Sequence, residues 1–101
     1  MAIDYRVRIV TTTPYNIVGD DEVVMVNVAG PSLVVLPSTG GSGYEKRSLY
    51  IKDFAGTSLT NPITITSAGG KTIDGVSFAI LNGGYSHIQV VYDGTNWKTI
   101  A

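Results

Sequence analysis

The chain has no cysteine among its 101 residues, one histidine, four prolines, and charged side chains at only 15% of positions. Without cysteine there is no disulfide scaffold, no thiolate metal site and no thiol redox chemistry, and the redox compartment is left open. Charge of either sign is scarce and nearly balanced, seven Lys and Arg against eight Asp and Glu. A net charge of −1 with pI near 5.6 supplies no basic field to gather phosphates, which argues against nucleic acid as a partner. No apolar run approaches the roughly 20 residues that span a bilayer, and the start MAIDYRVRIV lacks the basic and apolar regions of a signal peptide. The expectation is a chain made in the cytoplasm with no membrane partner. Helical spacing sustained over three turns is missing as well, so the chain reads as all-β.

What is present is strand patterning. At this length one domain covering residues 1–101 is expected, and it is short of core. Yet 44% of the residues are hydrophobic and the mean hydropathy is +0.19, an excess that favours burial between subunits. Tyr5-Arg6-Val7-Arg8-Ile9 alternates apolar and basic, placing Tyr5, Val7 and Ile9 inward. A short strand is expected over 15–18. EVVMVNV at 22–28 and SLVVLP at 32–37 are nearly continuous apolar runs rich in valine and leucine, suited to strands that want burial on both faces. Val23, Met25, Val26, Leu33, Val34, Val35 and Leu36 are therefore the candidate subunit interface.

STGGSGYEKR at 38–47 is a glycine-rich surface loop, and SLYIKD at 48–53 is a strand with Leu49 and Ile51 inward. In NPITITSAGGKTIDG, residues 61–75, Ile63 and Ile65 alternate with Thr64 and Thr66, Pro62 opens the strand, and Gly69-Gly70 supplies a tight turn before Thr72-Ile73-Asp74. A further strand carries Val76, Phe78 and Ile80, another places Ile88, Val90 and Tyr92 on one face, and Asp93-Gly94 marks a hairpin back into TNWKTI. About eight to ten short strands with closely spaced turns make a compact antiparallel β-sandwich, jelly roll or small barrel.

No chemistry is spaced for catalysis. Gly70-Lys71-Thr72 ends like a phosphate-binding loop, but Ile65 stands where its first glycine belongs and no helix follows. Gly40-Gly41-Ser42-Gly43-Tyr44 misses the nucleophile elbow, with Tyr44 at the second required glycine. His87 lacks metal or triad partners; only three copies on a three-fold axis could gather an ion around it. Asp20, Asp21 and Glu22 read as a solvated turn rather than a calcium loop. No catalytic residue, cofactor or metal is expected. Tyr44, Glu45, Lys46 and Arg47 have the make-up of a recognition loop; Trp97 could stack on a sugar, though a tryptophan beside a tight turn more often caps the core or a subunit contact.

The ordered series Asp20-Asp21-Glu22 before a valine strand, Leu33-Val34-Val35-Leu36-Pro37, Tyr50-Ile51-Lys52-Asp53, Asn61-Pro62-Ile63-Thr64-Ile65, Gly69-Gly70-Lys71-Thr72-Ile73-Asp74-Gly75 and Asp93-Gly94-Thr95-Asn96-Trp97 resembles a small β domain recurrent in tailed-bacteriophage structural proteins. Such domains occur in tail fibres and spikes and as head-decoration or head-fibre proteins. The resemblance covers residues 5–100. It implies a non-enzymatic homotrimer located in the virion. Its partners would be its own copies and the major capsid protein or other virion proteins. A chain of one such domain with its own Met1 fits a capsid decoration (cement) or head-fibre protein better than a long tail fibre. The alternative is a tail-fibre or tail-tip domain binding a host-surface glycan through 38–47 and aromatics such as Tyr44 or Trp97.

Overall fold

The computed structural model describes residues 7–18, 21–38 and 48–101, which form an all-β fold of nine strands with one short 3-10 turn. The strands are β1 (Val7–Val10), β2 (Tyr15–Asn16), β3 (Val23–Val26), β4 (Ser32–Leu36), β5 (Ser48–Asp53), β6 (Ile63–Ser67), β7 (Phe78–Leu81), β8 (His87–Tyr92) and β9 (Trp97–Thr99). One sheet has the order β1-β3-β5-β8-β9 and the other β2-β4-β6-β7. Up to β6 the chain changes sheet at every strand. It therefore re-enters each sheet in the same direction, and β1, β3 and β5 are mutually parallel, as are β2, β4 and β6. Only the later strands reverse: β7 runs antiparallel to β6, β8 to β5, and β9 to β8.

The wholly antiparallel expectation is thus corrected to two mixed sheets. A period of two tells which face a residue occupies but not which strand lies beside it. The turns after β1, β3 and β5 are corners carrying the chain from one sheet to the other.

Between the sheets lies one core of Val24, Val26, Val34, Leu36, Leu49, Ile51, Ile63, Ile65, Val90 and Trp97 with their neighbours. Leu49 and Ile51 point inward, as do Ile63 and Ile65, and Ile88, Val90 and Tyr92 share the buried face of β8. Ile73 is buried too, bridging Val76 on one side and Trp97 on the other. Two strands have the opposite phase from the one expected. In β1 it is Val10 that is buried, whereas Val7 and Ile9 are 53% and 51% exposed. Arg8 alternates onto the same side as Val10 but stays exposed, and from there it reaches the buried Asp21 carboxylate. In β7, Leu81 is buried and Ala79 packs against the core, while Phe78 and Ile80 face out and Val76 is exposed before the strand begins.

The stretch 61–75 folds largely as its pattern predicts. The isoleucines of β6 enter the core, and Gly69 and Gly70 adopt φ of 69° and 71°. Its antiparallel partner, however, is β7 rather than the segment around Ile73.

Candidate functional site

Four carboxylates organise the turns. Asp21, expected in a solvated turn, is buried and accepts hydrogen bonds from Arg8 Nε at 3.1 Å, from the Tyr15 hydroxyl and from the Val18 amide at 3.1 Å. Burial first, and then the Asp21 carboxylate beside it, push the Tyr15 phenol up to about 12. Asp53, at the end of β5, accepts the amides of Gly56 (3.0 Å), Ser58 (3.0 Å) and Tyr85 (3.1 Å). Its burial works to raise the pKa, but the hydrogen bonds from Ser58, Tyr85 and Gly56 together outweigh it and hold the group below the usual carboxylate range. Asp74 receives the Thr99 hydroxyl and amide, and Asp93 caps its own turn by accepting Thr95 N and Asn96 N at 2.8 Å. Both are lowered, chiefly by those hydrogen bonds. These acids hold corners together, and among the described residues no three His, Asp or Glu side chains gather as a metal site.

Trp97 is fully buried, donates Nε1 to the Pro37 carbonyl at 3.2 Å and meets Tyr92 edge-on at 5.2 Å between ring centres. It caps the core and offers no face for a sugar to stack on. Its partners in the predicted recognition loop, Tyr44, Glu45, Lys46 and Arg47, lie outside the described residues.

The seven candidate interface residues divide three ways. Val26, Val34 and Leu36 are core. Val23 and Met25 are half-buried on the outer face of the first sheet, and Leu33 and Val35 on the outer face of the second. The first outer face contains an open depression of about 380 Å³ lined by Val23, Met25, Tyr50, Lys52 and His87. Strand register builds it: Val23 lies beside Tyr50, Met25 beside Lys52, and Lys52 opposite His87. Gln89 Nε2 donates to Tyr50 Oη at 2.7 Å, and the Lys52 ammonium donates to the Tyr85 carbonyl while lying 5.9 Å from the Tyr85 ring centre. The floor is apolar, and the rim carries an ammonium and an imidazole. Such a surface suits packing against another protein's apolar and acidic side chains, and it has no nucleophile with an adjacent base.

Sequence reasoning missed this gathering because Tyr50, Lys52 and His87 meet only through cross-strand register. The outward alternation of Tyr50 and Lys52 was the one available signal. Compared with known proteins, the chain matches no family model and no curated sequence.

Proposed function

We propose that this chain is a non-enzymatic structural protein that works by docking its sheet faces onto other protein subunits, as a homotrimeric capsid decoration or head-fibre protein of a tailed bacteriophage located in the virion. The observation that carries the docking role is that both sheets turn apolar side chains outward: Val7 and Ile9 on one, Phe78 and Ile80 on the other. A small domain that leaves such groups on two opposite faces gains by covering them. Several footprints on one oligomer would bind a repetitive lattice far more tightly than one. The phage setting is supported by the resemblance of residues 5–100.

Purified protein mixed with expanded, undecorated phage heads should bind in a fixed stoichiometry and raise their resistance to heat. Binding to host cells but not to heads would replace this reading with that of a receptor-binding tip. That second reading now depends on the 38–47 region, since Trp97 is enclosed in the core.

A further inference from the structure

We propose that the outer face of the β2-β4-β6-β7 sheet is the self-association surface, and that three copies of it close around a three-fold axis as a triangular prism. This rests on the self-assembling part of the function proposed above and assigns it a surface.

Register lays out the face in two rows, Leu33–Thr64–Ile80 and Asn16–Val35–Thr66–Phe78. None of the four strands contains a charged residue or a proline. The described charges sit on the other sheet or in turns, as Arg8, Glu22, Lys52, Lys71 and Lys98 illustrate. A charge-free face has no use for a partner of complementary charge, but it suits its own copy, because no like charges are brought together. Phe78 and Ile80 stand 51% and 46% exposed on one side of it. Leu33 and Val35, both half-buried, and the exposed Asn16 occupy the other side. In a ring, the Phe78–Ile80 side of one copy meets the Asn16–Leu33–Val35 side of the next.

The edges favour three copies over two. β7 and β2 are the edge strands of this sheet. β7 reads FAIL, with neither the charge nor the proline by which exposed edges are usually protected. Two sheets packed face to face would leave those edges open. Four strands at about 4.8 Å spacing make a sheet about 19 Å wide, and an equilateral prism of that side has its axis about 5.5 Å from each sheet, close to half the roughly 10 Å separation of packed sheets. One layer of side chains from each copy fills that space. The closed prism also sets every β7 edge beside a neighbour's β2 edge.

The test is mass by light scattering at micromolar concentration, with circular dichroism to verify folding. Wild type should run at three times the 10.7 kDa of one chain. Phe78→Asp and Ile80→Asp should each run as folded monomers, their association weakened at least about 100-fold by a buried unpaired charge. Ile9→Asp, equally exposed on the other sheet, should remain trimeric. Because the chain has no cysteine, Thr64→Cys provides a second reading that leaves the apolar groups intact. Its thiol should be shielded from a maleimide in the assembled protein and react freely once Phe78→Asp is added, and a thiol that reacts equally in both would overturn the face.

Trimers that survive both aspartates, or that fall apart in Ile9→Asp, would overturn the face while leaving self-assembly standing. A wild-type dimer would overturn the three-fold closure, and a wild-type monomer would overturn self-association itself. Trimers formed through this face that fail to bind heads would refute the virion role and leave the face in place.

Discussion

Asp53→Asn removes one charge from the interior and changes almost no volume. The carboxylate holds two corners at once, the turn after β5 through Gly56 and Ser58 and the β7–β8 turn through Tyr85. An asparagine oxygen placed where Oδ2 lies still accepts from Ser58 and Tyr85, but its amide then confronts the Gly56 N–H, donor against donor. Losing charge assistance on two bonds costs about 1 kcal/mol, and leaving the Gly56 amide unmatched about 1–3 kcal/mol, a total of about 2–4 kcal/mol at pH 7. For a domain of this size that corresponds to a fall in Tm of about 10–25 °C. Urea denaturation at pH 7 and again in strong acid is the decisive measurement. The folded-state pKa of Asp53 is depressed, so its stabilisation is fully present above the unfolded value near 3.8 and is lost as pH falls through the folded value. Wild type should therefore lose stability in acid faster than Asp53→Asn, and the two curves should converge. A gap that stays constant with pH, or one below about 0.5 kcal/mol at pH 7, would refute the assignment of this carboxylate as a charged corner post.

Gly56→Ala should lose about 1–3 kcal/mol by urea denaturation, since φ is +78° and a Cβ there would collide with the Tyr85 ring. Trp97→Phe should lose about 2–3 kcal/mol, because it opens space in the core and removes one of the two hydrogen bonds to the Pro37 carbonyl, leaving that from the Ser67 hydroxyl. Tyr15→Phe should cost about 1–2 kcal/mol and, in an alkaline ultraviolet titration, remove a tyrosine ionisation near 12.

Faces were legible in the sequence where a strand is bounded by others on both sides. Ile63, Ile65, Leu49, Ile51 and the Ile88-Val90-Tyr92 set all lie where alternation puts them, because a central strand must bury one side completely. The errors fall on edge strands. β1 and β7 are each paired along one side only, so their outward residues meet no penalty that a pattern would register. At β1 the arginine shares a side with the buried Val10, and its carboxylate partner, thirteen residues away, cannot be paired with it by spacing alone. The Asp93-Gly94 hairpin was readable because both its strands and its turn are contiguous in sequence. Parallel pairing was not, since Val7 lies beside Val23 and Ser32 beside Ile63 with a visit to the opposite sheet between them. Of the candidate interface, the apolar content was readable, and its division between the core and two opposite faces required the fold.

The alternation of the chain between its sheets has a kinetic consequence. Local closure is cheap only late in the chain, where Thr66 meets Phe78 and Tyr92 meets Trp97, while β1, β3 and β4 can be held only by partners a full circuit away. The hairpins of the second half are thus the natural nucleus, and the earlier strands wind onto them. Substitutions at Ile65 and Val90 should slow folding, whereas Val24→Ala should mainly speed unfolding, a contrast that stopped-flow measurements resolve and that equal φ-values at the three sites would contradict. During synthesis the first strands must wait, unpaired, for the ones that will receive them.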